Sequence, residues 1–63
     1  MFRIEYYCPR EAPVWQMLTE GFLWKTPRKF GSLQEAIRVC DSLMWQYHAV
    51  HVIDPSGNVV YAI

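Results

Sequence analysis

SLQEAIRVCDSLMWQYH, residues 32–48, is the stretch whose reading decides the fold. Ser32 followed three positions later by Glu35 is the S-x-x-E capping box. The Ser hydroxyl takes the amide of Glu35, and the Glu carboxylate reaches back to the amide of Ser32. Stepping about 100° per residue puts Leu33, Ala36, Ile37, Cys40, Leu43, Met44 and Tyr47 on one broad arc. Gln34, Arg38, Asp41, Ser42 and Gln46 lie outside it. The spacing predicts one amphipathic helix over 32–48. Phe30, just upstream, is placed to pack over its first turn. Trp45 falls about 150° from the centre of the apolar arc, beside Arg38, Asp41 and Ser42.

On the C-terminal side, AVHVI (49–53), DPSG (54–57) and NVVYAI (58–63) read as a hairpin. Asp54 bonds the backbone, Pro55 presets φ, and Gly57 accepts a positive φ, which is the chemistry of a type I turn closed by a left-handed residue. Val50 and Val52 share a face, as do Val59, Tyr61 and Ile63. On the N-terminal side, FRIEYYC (2–8) alternates Phe2, Ile4 and Tyr6 against Arg3, Glu5 and Tyr7. That period of two predicts a half-buried strand, and PREAP (9–13) ends it with two prolines. VWQMLTEGFLWK (14–25) has two readings. The preferred one is strand, split by Gly21 into 14–19 and 22–25. The other is a helix opened by Pro13, with Val14, Met17 and Leu18 on one face and Gly21 at the C-cap side. TPRKFG (26–31) reads as a loop. The expected order is β-β-α-β-β: an α+β domain spanning 1–63, one helix packed on a mainly antiparallel sheet.

The frame F-G-S-L-Q-E-A-I followed by V-I-D-P-S-G-N-V-V-Y resembles small, mostly uncharacterised bacterial and phage domains. In those, an aromatic and Ser-x-x-Glu-Ala start a helix, and a V-x-D-x-x-G-x-V-V-Y hairpin closes the chain. The resemblance runs from Phe30 to Tyr61. It implies a compact α+β fold, and it implies no activity and no catalytic residue.

Composition narrows the function classes. A chain of 63 residues buries only about 60% of the surface its unfolded form exposes. Yet 52% of the chain is hydrophobic and 16% aromatic, with three Trp, four Tyr and three Phe. One small core does not enclose them all, so apolar surface is left for contact with another chain. Net charge is zero, from six basic and six acidic side chains. A dedicated nucleic-acid binder carries a basic surplus, because phosphate neutralisation supplies most of its affinity. Near-neutral charge favours self-association. Two cysteines, no signal-like run and no long apolar run predict a reduced, soluble, cytoplasmic protein.

Candidate chemistry is sparse. Cys8, Cys40, His48 and His51 are metal-ligand types, but the cysteines are far apart and no single element aligns the histidines. No metal or cofactor is expected. Cys8, His51 and Asp54 can be written as a nucleophile, a base and an orienting acid. Asp54 already has its turn and Cys40 its helix stripe, and a pocket of about 300 Å³ is hard to carve from so small a core. An enzyme is not expected. A protein-interaction or regulatory module, homodimeric through a sheet edge or aromatic contact, is the leading expectation. Trp45, Trp24 and Tyr7 are its candidate contacts, with Arg38 at the rim. The alternative is single-stranded nucleic-acid binding by Lys25, Arg28 and Lys29 between Trp24 and Phe30, with sheet aromatics Tyr6, Tyr7 or Tyr61 as stacking platforms.

Overall fold

A computed structural model describes all residues, Met1–Ile63. It is an α+β domain in which one helix packs on a four-stranded antiparallel sheet, with a small hairpin added. The elements are β1 (Arg3–Tyr7), β2 (Gln16–Met17), β3 (Thr19–Glu20), β4 (Thr26–Pro27), α1 (Leu33–Leu43), β5 (Ala49–Ile53) and β6 (Val59–Ala62). The sheet order is β2-β1-β5-β6, and β3 pairs with β4 alone.

β1 and β5 form the centre, paired from Arg3↔Ile53 to Tyr7↔Ala49. The expected alternation holds along β1. Ile4 is fully buried, and Phe2 and Tyr6 pack against the same core. Val50 and Val52 of β5 point to that side and meet Ala36 and Cys40 of the helix. Phe30 closes the core from the segment before the helix. It is buried, and its amide and carbonyl exchange bonds with Phe2 at 2.8 and 2.9 Å. Only seven of 63 residues are buried, so a single large-to-small change, such as Ile4→Ala at about 2–5 kcal/mol, removes much of the stability of so small a domain.

The helix starts as its cap predicts and stops early. Ser32 is extended, and its Oγ accepts the Glu35 amide at 3.2 Å. The reciprocal bond from the Glu35 carboxylate is not formed, so half of the capping box is present. Met44 is the C-cap, well short of residue 48. Two contacts outside the helix require this. Tyr47 stacks on Tyr6 with ring centroids 4.1 Å apart, and the His48 amide donates to the Tyr7 carbonyl at 3.0 Å. The chain must leave its helical path to make both. Ser42 Oγ donates back to the Val39 carbonyl at 2.7 Å in the last turn, a bond that often bends a helix. Met44, expected on the apolar arc, is exposed.

Residues 14–25 are strand only in part. β2 and β3 lie within 14–20, while 22–25, expected as a strand, is a turn. Gly21 causes this. Its φ is +110°, and a Cβ there would stand 2.3 Å from the Trp24 carbonyl oxygen. The chain folds back there, and the stretch expected as a loop supplies β4, with Pro27 inside it. The 54–57 turn forms as expected. The Gly57 amide donates to the Asp54 carbonyl at 2.9 Å, and Gly57 has φ +91°. Asp54 Oδ1 accepts the amides of Ser56 and Asn58 at 3.0 and 2.9 Å. These bonds hold its carboxyl below the usual range, with the Asn58 amide the largest cause.

Candidate functional site

The helix covers one face of the sheet. On the other face the register sets Glu5 of β1 opposite His51 of β5 and Met17 of β2. His51 Nε2 lies 2.8 Å from Glu5 Oε1, the only contact in the chain between a basic side chain and a carboxylate within 4.0 Å. Trp15 reaches over β1 and stacks on His51 at 4.0 Å and 16°. Tyr7 tilts against Trp15 at 5.7 Å and meets His48 edge-on at 5.9 Å. This open face is therefore an aromatic ladder laid over a paired His and Glu. The rings cover one another in part, and such offset and tilted contacts are favourable.

The candidate contact residues do not gather in one place. Tyr7 belongs to the ladder. Trp24 is 83% exposed at the tip of the β3–β4 hairpin. Trp45 is 87% exposed beyond the end of α1, so the early end of the helix does not turn it toward the core. Neither Trp24 nor Trp45 pairs with another aromatic ring. Arg38 is exposed on α1 without an ion-pair partner. Trp45 borders an open cleft of about 360 Å³ with Cys8, Arg10, Tyr47 and His48. That volume exceeds what so small a core was expected to allow, because the cleft is cut between a loop and a helix end and takes nothing from the core.

The cysteine, histidine and acid set does not assemble. No three His, Cys, Asp or Glu side chains form a group that would hold a metal ion. Cys40 is fully buried in the core, and burial, with Asp41 adding, pushes its thiol up to about 11. His51 is engaged by Glu5 and Trp15, and Asp54 by its own turn. Cys8 lines the Trp45 cleft with His48 rather than meeting His51.

The stacking platform is also divided. Tyr6 lies on the helix side against Tyr47. Tyr61 is there too, its hydroxyl donating to Asp41 at 2.7 Å. That bond is the main reason its pKa is raised. Only Tyr7 is on the open face, and Trp15 covers part of it.

One strand edge is left bare. Ile63 and Val50 exchange backbone bonds at 3.1 and 3.5 Å, so the polar groups of Ile63 face β5. By alternation those of Ala62 face outward with no partner strand, whereas Val60 is the extra residue of a β-bulge, skipped between Val52↔Tyr61 and Ile53↔Val59. Val59, Val60, Ala62 and Ile63 are exposed, and no charge or proline interrupts VVYAI. The opposite edge, β2, is only two residues long and follows Pro13 closely.

Trp15, Glu5 and the β6 edge were not singled out by sequence reasoning. The ladder depends on the β2-β1-β5 register, which no local signal carries. The β6 edge depends on strand order.

No protein-family model matches the chain, and no curated protein or solved structure matches it.

Proposed function

We propose that this chain is a small protein-interaction module that self-associates, with β6 of one copy pairing antiparallel to β6 of a second. The observation that carries the reading is the bare, uncharged outer edge of β6. Natural sheets blunt such edges with charge, proline or a bulge that turns them away. Here the one bulge, whose extra residue is Val60, lies toward the turn end of the hairpin and leaves the outer edge open at Tyr61–Ile63. A two-fold axis beside β6 joins the two sheets into one, and the exposed Val59, Val60 and Ile63 of each copy come together. That burial also offsets the small core.

The reading is of a binding module and not of an enzyme. The buried thiol is held protonated, and the acid and base best placed for chemistry are paired or committed to a turn. The proposed partners are a second copy or another protein that adds a strand to the same edge. Trp45 beyond the end of α1, Arg38 at the middle of α1 and Trp24 at the hairpin are further contacts proposed for a foreign partner.

Hydrogen exchange tests the edge directly. In a monomer the Ala62 amide faces water and exchanges quickly. In the proposed dimer its protection rises with protein concentration, while the Tyr61 and Ile63 amides, which face β5, change much less. Fast exchange of Ala62 at every concentration would contradict the reading.

Single-stranded nucleic-acid binding by Lys25, Arg28 and Lys29 has one observation in its favour: none of the three has a carboxylate partner. It is the weaker reading, because Tyr6 and Tyr61 lie on the helix side of the sheet.

A further inference from the structure

The β3–β4 hairpin ends in an apolar tip that the fold does not use. Phe22, Leu23 and Trp24 are consecutive and are 91, 79 and 83% exposed. No other run of three large apolar side chains in the chain is so bare. The tip is not loose. Thr19↔Pro27 and Glu20↔Thr26 pair at its base, and Gly21 takes the positive φ that its turn requires. Lys25 Nζ donates to the Gly21 carbonyl at 3.1 Å across the neck.

Charge around the tip is mostly positive. Glu20 is exposed at the base of the hairpin opposite Thr26, and from Gly21 to Gln34 the sequence holds Lys25, Arg28 and Lys29 and no acidic residue. Arg3 lines one cleft with Lys29. None of these four cations has a carboxylate partner, since the single basic side chain within reach of a carboxylate is His51, beside Glu5. A neutral chain has thus placed unpaired positive charge beside its barest apolar point.

We infer that the Phe22–Trp24 tip docks on an anionic lipid surface, with Lys25, Arg28, Lys29 and Arg3 at the level of the headgroups. The combination of apolar insertion and a basic collar is what stable attachment to a membrane surface needs, because either signal alone is marginal. No helix of the chain is long and apolar enough to cross a membrane, and surface docking requires none. A shallow tip leaves its turn backbone in the hydrated interfacial layer, so its unpaired amides and carbonyls are not stranded in hydrocarbon. Trp favours that layer, with its ring in the apolar boundary and its N–H in water. The shape also favours lipid over nucleic acid. Leu23, in the middle of the tip, offers no ring to stack on a base, and a convex tip makes no groove for a strand. The inference does not depend on β6 pairing.

Sedimentation with vesicles tests it, using the full chain. One set contains phosphatidylcholine with phosphatidylglycerol, the other phosphatidylcholine alone. The wild type is expected to sediment with the anionic set and at least about tenfold less with the neutral set. The variant F22S/L23S/W24S is expected to lose about tenfold or more of that binding. K25Q/R28Q/K29Q is expected to lose a similar factor. All three tip side chains are exposed, so folding is retained, and circular dichroism checks it. Light scattering of the tip variant is expected to give the wild-type mass. No sedimentation with anionic vesicles would overturn the inference, as would undiminished binding by the tip variant. A changed mass in the tip variant would reassign the tip to self-association. Binding to a single-stranded oligonucleotide without binding to vesicles would reassign it to nucleic acid.

Discussion

Cys40 shows how much one residue carries in a core of this size. It lies fully buried between the helix and β5. Burial moves its thiol from 9.0 to about 11. The unfolded thiol therefore ionises first as pH rises, while the folded one keeps its proton. The stability this group contributes is complete below pH 9.0 and is lost as pH climbs toward about 11. Tyr6, raised mainly by burial, and Tyr61, raised mainly by its bond to Asp41, act in the same direction. Thermal melting is expected to show a midpoint that falls across this alkaline range, and Cys40→Ala is expected to fall less steeply. An equal slope in the variant would show that the thiol is not the titrating group. Thiol labelling gives a second expectation. Both cysteines are free, and only Cys8 is partly accessible. One thiol per chain should react with a disulfide reagent in the native state and both in denaturant. Rapid labelling of both would contradict the buried position of Cys40. At this scale the sequence was informative where neighbours in sequence decide the outcome. Cys40 on the helix stripe, and Asp54 and Gly57 in their turn, are such cases. It was silent on Trp15, whose partner His51 is brought to it only by strand pairing.

Elements show the same division between local and distant causes. The start of α1 is written within four residues, and Ser32 caps the Glu35 amide as its spacing implies. Replacing Ser32 with alanine is expected to cost about 1 kcal/mol, read as a lower denaturant midpoint at unchanged slope. An unchanged midpoint would mean the cap is redundant. The end of α1 is not written locally. The apolar period continues to Tyr47, but the stacking of Tyr47 on Tyr6 and the His48–Tyr7 backbone bond stop the helix at Leu43. Residues 14–25 were ambiguous for a related reason. Their composition suits a strand, and Gly21 was legible as a break, but the pairing of 19–20 with 26–27 crosses a segment that reads as a loop. Pro27 is tolerated there because β4 pairs only with β3 and can turn its missing donor to solvent.

For the whole molecule the governing fact is the ratio of core to surface. Seven buried residues support a domain whose sequence is 52% hydrophobic. The excess is grouped: an aromatic ladder on the open sheet face, an apolar hairpin tip, a lone Trp45 at a cleft, and the β6 edge. The α+β order was legible from periodicity and turn chemistry. The grouping was not, because it follows from strand order and register. Of the four, the β6 edge is the one proposed to pair with a second copy, since the outward amide and carbonyl of Ala62 have no partner strand. Ala62 offers a clean way to block it. Its amide faces away from β5, so Ala62→Pro removes an outward donor and leaves the hairpin bonds in place.

The most direct measurement is absolute mass by light scattering over a concentration series, on wild type, Ala62→Pro and Trp45→Ala. The expected result is a wild-type dimer, a folded monomer for Ala62→Pro, and a dimer for Trp45→Ala. A wild type that stays monomeric at all concentrations, or a dimer that survives Ala62→Pro and is lost with Trp45→Ala, would contradict self-association through β6.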